Sequence, residues 1–430
     1  MARLSRLVRT ALADLGAIGQ FNRNVRLLLL ATVLSGIAEG IFSVDFNLYI
    51  LSLGIKPAAL GTILSAGPYA HALASIPVGF LGELFGYRRA FLGIYGLAGL
   101  SRLAQVATSR MDIIIFGAFV AGLAFSGDFV VRLPFLSANA AADQRTHVFS
   151  YSSVLSSLSY AVGALLAGYV PNLIFRATQD LATSYRWTLC VSGVLILASF
   201  LPAFFLRDAA PRQRKKISLY PYLWGIDRFT VQVATVEFFI GLTMGLTNPF
   251  MNIFYIYRLG TSREFFSNVS ALALFPTMLA TALGPYIARR LGNLGAVRAA
   301  RFLIPLSTLA MALTTNRFLG TGAYWAYGAL FMMSQSVWFV FVMDTAAPRA
   351  KAAASAWLEI TFWIGMGLAA QITGALLAQS NYVLPFLAST AAAVVAAVLT
   401  HLCRYSIPPR RGMRLCQGPA SEAGSIRAAQ

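Results

Sequence analysis

Residues 27–53 read LLLLATVLSGIAEGIFSVDFNLYILSL, with Glu39 and Asp45 as the only charged side chains. A helix needs about 20 mostly apolar residues to cross the hydrocarbon of a bilayer, and this run exceeds that length. Carboxylates are costly at such depth, which marks both as candidates for function.

Eleven runs of the same kind follow. They lie at 59–82, 89–107, 112–137, 147–171 and 185–206, then at 229–257, 264–288, 296–315, 319–344, 352–377 and 381–404. A polar linker at 207–228, with Arg212, Arg214, Lys215 and Lys216, separates six runs from six. The expected organisation is therefore an N-terminal segment (1–26), a six-helix bundle (27–206), the linker, a second six-helix bundle (229–404) and a disordered polar tail (405–430). The leucines and Val8 of the first segment recur at helical spacing beside Arg3, Arg6 and Arg9. That pattern suits a helix lying on the membrane surface or a frayed basic tail, and it lacks the apolar core of a secretory signal.

Composition agrees with a membrane setting. Of 430 residues, 58% are hydrophobic and 11% charged, with a mean hydropathy of +0.68. Soluble domains carry about 25% charged residues. This chain lacks the polar groups to clothe a water-facing surface. The net charge of +19 sits in short clusters between apolar runs, as in cytoplasmic loops, and not on a face interleaved with aromatics for nucleic acid. Cys190, Cys403 and Cys416 are far apart and form no disulfide or metal-binding spacing.

Placing both termini in the cytoplasm puts 25 of the 34 Lys and Arg residues inside and 7 outside, with Arg102 and Arg132 left within helices. That bias sets the expected orientation in a plasma membrane. The halves also echo each other. A shift of 206 residues lays Gly54 on Gly260, Gly86 on Gly292, Arg145 on Lys351 and Gly168 on Gly374. With one residue of slippage Gly36 and Gly40 meet Gly241 and Gly245, and Asn47 meets Asn252. The expected fold is all-α, with 12 transmembrane helices in two pseudo-symmetric six-helix bundles and a solute path between them.

The join between the second and third runs is Gly79-Phe80-Leu81-Gly82-Glu83-Leu84-Phe85-Gly86-Tyr87-Arg88-Arg89. It resembles the G-x-L-a-D-r-x-G-r-k loop of the major facilitator superfamily through Gly79, Leu81, Gly86 and Arg88, with Glu83 where the family has Asp. Arg89 continues the basic end. The short charged loops at Asp143-Gln144-Arg145 and Ala347-Pro348-Arg349-Ala350-Lys351 also look like the family's. The resemblance spans about residues 25–405 and implies alternating-access transport by a monomer, with Glu83 and its loop stabilising one state. The fifth run has Gly163-Ala164-Leu165-Leu166-Ala167-Gly168 where many drug/proton antiporters of the family carry G-P-x-x-G-G, so the proline is missing.

Glu39 lies about 18 Å along its helix at 1.5 Å per residue, near mid-membrane. It reads as a proton-binding or cation-binding carboxylate, or as the partner of a buried polar group. Asp45 is a vestibule or interface residue, and Glu237 and Glu359 line the inner part of a cavity or reach towards headgroups. Asp128 and Arg132 stand i, i+4 on one helix face as an ion pair, or leave Arg132 free for an anionic solute. Asn47 and Asn252 are candidate polar cavity groups. The serines at 150, 152, 153, 156, 157 and 159 form a polar wall or a helix crossing, and His71 is a structural or titrating group. Trp338, Trp357, Phe362 and Trp363 pack or clasp an apolar solute. No phosphate-binding loop, zinc motif or nucleophile elbow is present, so neither an enzyme nor a bound cofactor is expected. The expected function is proton-coupled export of a small organic solute, with uptake, facilitated diffusion or a non-transporting receptor as alternatives.

Overall fold

The computed structural model describes residue 19 and residues 21–77, 85–141, 144–207 and 225–403. Eleven helices among them are long and apolar enough to cross a membrane. The first half contains α1 (Arg23–Ser52), α2 (Pro57–Ala74), α3 (Tyr87–Ala107), α4 (Met111–Asn139), α5 (Arg145–Thr178) and α6 (Leu181–Ala198, extended by Phe200–Phe204). The second contains α7 (Arg228–Thr247), α8 (Arg263–Leu272 and Leu274–Leu291), α9 (Asn293–Leu313), α10 (Arg317–Thr345), α11 (Lys351–Ala378) and α12 (Leu384–Leu402). The twelfth expected span is α2, which ends at Ala74, short of the end of the 59–82 run, with residues 78–84 outside the described set. The linker from 208 to 224 and the tail from 404 also fall outside it.

Small residues decide the packing. Without Cβ atoms, Gly36 and Gly40 let α1 press against Ser159 and Ala164 of α5, and Gly241 and Gly245 let α7 press against Phe362 and Met366 of α11. Around these contacts α1 also packs on α6 and α3 on α4 and α6, while α7 packs on α12 and α9 on α10 and α12. The repeat therefore survives as geometry. Gly54 and Gly260 close the first loop of each half with φ of 79° and 62°, and Gly86 and Gly292 open the third helix with φ of 82° and 74°. Only glycine enters that region without strain.

Helix α7 departs from regularity where Pro249 removes a backbone donor. A 3-10 turn at Asn248–Phe250 and a π turn at Phe254–Arg258 carry it onward, with Leu259 N–H donating to Phe254 O at 3.1 Å.

The halves meet along α2 with α11 and α5 with α8. Gly61 touches Gly374 at the face where α1 ends, and Gly168 touches Ser267 at the same face. Ser267 donates its hydroxyl to Ala164 O at 2.6 Å, and Asn172 of α5 bonds both Arg263 and Glu264 of α8. That face is sealed. A cavity occupies the middle and the opposite side.

Candidate functional site

The cavity has two joined parts. One of about 660 Å³ is walled by α1, α3, α4 and α5, and another of about 350 Å³ by α5, α7, α8 and α10. Ser156, Ser157, Tyr160 and Met332 line both. A smaller pocket of about 150 Å³ under the seal shares Tyr160 and Tyr324.

The wall from the first half is charged. Glu39 accepts a 3.1 Å hydrogen bond from Arg102 of α3, whose guanidinium lies 3.3 Å from the Phe42 ring centroid. Glu39 is one-third exposed and Arg102 15% exposed, so the pair faces the cavity. Asp128 pairs with Arg132 one turn along α4, and Tyr95 donates to Asp128 at 3.1 Å. Arg132 is therefore the paired residue of the two alternatives, and it lines the cavity as well. Ser152, Ser153, Ser156 and Ser157 complete a polar wall on α5.

The wall from the second half is aromatic and apolar. Tyr324, Trp325, Tyr327, Phe331 and Met332 of α10 face Met244 and Asn248 of α7. Trp338, by contrast, is fully buried outside it.

The remaining acids divide. Glu237 is sealed from the cavity in an ion pair with Arg301 of α9 at 2.9 Å, with side-chain exposures of 3% and 0%. Gln335 also donates to Glu237 at 3.1 Å, Thr400 accepts from Arg301 at 2.9 Å, and Trp338 lies 4.3 Å under the guanidinium. Arg301, assigned by the charge count to the cytoplasmic side, is a buried helix residue, as its span at 296–315 already implied. Glu359 accepts from Trp363 Nε1 at 3.0 Å, and the Trp363 ring stacks 3.9 Å from His71 across the α2–α11 junction.

Asn47 and Asn252 belong to the seal. They hydrogen bond each other at 3.0 Å between α1 and α7, and Asn252 also donates to Val44 O at 2.8 Å. Both border the small pocket. Replacing Asn47 with Ala removes a buried bond across the halves and is expected to weaken the seal by about 1 kcal/mol. Distance measurements between labels on the two halves check this. Asp45 is fully buried on the same face.

Gly79, Leu81 and Glu83 of the loop motif lie outside the described residues. Gly86 caps α3, the Arg88 guanidinium rests 4.7 Å from the Phe204 ring, and Arg89 is exposed. Arg102, Tyr95 and Tyr160 were not foreseen as site residues. Arg102 carried a readable signal, since with Arg132 it was one of the two basic residues that the charge count left within helices.

The sequence profile of the Major Facilitator Superfamily matches residues 28–357. No curated protein sequence matches the chain. Among solved structures, a mutant form of the nucleoside transporter NupG superposes with a TM-score of 0.75 at 14% identity, covering 89% of this chain and all of that one. A bacterial homologue of the human lysosomal transporter Spinster, inward-facing and unoccupied, gives 0.71 at 13% identity, over 89% and 96% of the two chains. Likeness at such identity speaks for the fold, while the profile covers well over half the sequence. The chain belongs to the Major Facilitator Superfamily and is a multi-pass membrane transporter.

Proposed function

We propose that the protein exports a small organic solute with an aromatic or apolar body and a polar head, exchanging it for protons by alternating access. The observation that carries this is the split cavity, with acid–arginine pairs and serines on one wall and tyrosines, Trp325, Phe331 and Met332 on the other. A solute bridging the walls would place its head near Arg102 and Arg132 and its body against α10.

Glu39 is the coupling group in this reading. Ionised, it holds Arg102. Protonated, it releases the guanidinium to a polar group of the solute, so proton and solute alter one another's affinity through a shared partner. Asp128, held by both Arg132 and Tyr95, keeps the second arginine oriented. The excess of Lys and Arg on one side supports a plasma-membrane orientation with both termini in the cytoplasm. The solute leaves chemically unchanged.

Proteoliposomes test this with a panel of amphipathic compounds. Wild type is expected to move protons on solute addition, and Glu39→Gln to lose that movement while still binding solute. Solute flux without proton movement in wild type would reject the coupling.

A further inference from the structure

Asp45 differs from the other carboxylates of the spans among the described residues. It is 0% exposed, and among the described residues neither of its oxygens meets a hydrogen-bond donor. It lies on α1 six residues past Glu39, about 9 Å along the axis, on the face where the halves close. Its charged neighbours are committed elsewhere. Arg263 of α8 is the cation acting on it, yet that guanidinium donates to Asn172 of α5 and lies 5.1 Å from the Tyr185 ring centroid. Asn172 in turn donates to Glu264 of α8. Tyr185 of α6 is close enough to couple electrostatically to Asp45, Arg263 and Tyr257, the last at the far end of α7. Arg186 of α6 donates to the Tyr49 hydroxyl at 3.3 Å. Asn252 of α7 spends its amide on Val44 O and Asn47.

Two features meet here. A buried carboxylate without donors is costly in its ionised form, and one proton removes that cost. The junction that buries it also has to separate whenever the transporter opens on this face. We propose that Asp45 is a proton-binding latch of this gate, protonated when the halves close over it and ionised when they part. The proton comes from water on that face before closure and returns to it after opening, and no other bond is made or broken. Acid on that face therefore favours the sealed state and alkali the open one. Two oxygens suit a proton, whereas hard metal cations such as calcium and magnesium take about six oxygen ligands. The latch needs neither Glu39 nor a bound solute, so its failure is read separately from that of proton-coupled export.

The test uses full-length protein in lipid nanodiscs, with Cys190, Cys403 and Cys416 replaced by alanine. Spin labels at Ser109→Cys and Thr315→Cys report the gap between the α3–α4 and α9–α10 loops on the sealed face. The pH is stepped from roughly 5 to roughly 9, a range in which buried carboxyl groups titrate. Wild type is expected to shift from the short to the long distance as pH rises, with at least a roughly tenfold change in the ratio of the two. Asp45→Asn, which imitates the protonated acid, is expected to stay short throughout, while Asp45→Glu and Glu39→Gln keep the titration. An unchanged titration in Asp45→Asn, its loss in Glu39→Gln, no pH response in wild type, or opening that follows sodium at fixed pH would each overturn the assignment.

Discussion

Replacing Arg301 with methionine is expected to cost the folded protein about 3–5 kcal/mol, the range found when one partner of a buried ion pair is removed. Glu237, at 2% exposure, would be left with only the Gln335 amide to set against the cost of its ionised form. Three further contacts would go at the same stroke: the bonds to Thr400 and Gln335 and the stack on Trp338. Thermal unfolding in detergent, followed by the accessibility of buried Cys403 to a thiol dye, reads the loss. Adding Glu237→Gln to the variant is expected to restore a large part of it, since the orphaned charge dominates the cost. A double variant no better than the single one would place the cost in packing against Trp338 instead.

Gly374→Leu is expected to abolish transport while leaving both bundles folded. A Cβ on Gly374 would lie 2.8 Å from Gly61 N and 2.8 Å from Pro57 O, all of them atoms of α2 in the other half. The three atoms nearest to that Cβ all belong to the other half. Overpacking of this kind costs about 1–3 kcal/mol, a factor of roughly ten to a hundred in the sealed-to-open ratio, and here the backbone has little room to yield. Solute flux should collapse, and the label pair across the sealed face should lengthen. Gly241→Leu makes the informative contrast, because its Cβ would strike Phe362 of the same bundle and should lower yield and stability instead.

Much of this arrangement was legible before any coordinates. Spans followed from hydropathy. Of the three glycine pairs aligned by the 206-residue shift, Gly168 and Gly374 lie within helices where the halves meet, while Gly54/Gly260 and Gly86/Gly292 proved to be positive-φ pairs. Such positions are readable because they rest on backbone geometry that few residues tolerate. The pairing within α4 was readable too, since i, i+4 spacing is local. Partners from different helices were not. Glu39 and Arg102 are 63 positions apart, and only the fold, in which α1 and α3 both pack on α6, brings them together. Depth along a helix was likewise calculable for Glu39, whereas the burial of Asp45 depends on which side of α1 faces the other half. Asn47 and Asn252 were expected in a cavity because polarity in a span suggests water. They do border the small pocket, but the amide of Asn47 donates to that of Asn252 across the seal, a pairing that polarity alone did not reveal.

Pairing also has an electrical consequence. The field across an energised membrane does work on every unbalanced charge that moves through it, about 2.3 kcal/mol per charge per 100 mV. Glu39 with Arg102, Asp128 with Arg132 and Glu237 with Arg301 are each neutral as units. When the bundles rock, these pairs travel without a net gating current. These three pairs then add nothing to a transport current, which is left to the solute, the protons it exchanges for and any carboxyl that changes charge between the two states, Asp45 among them.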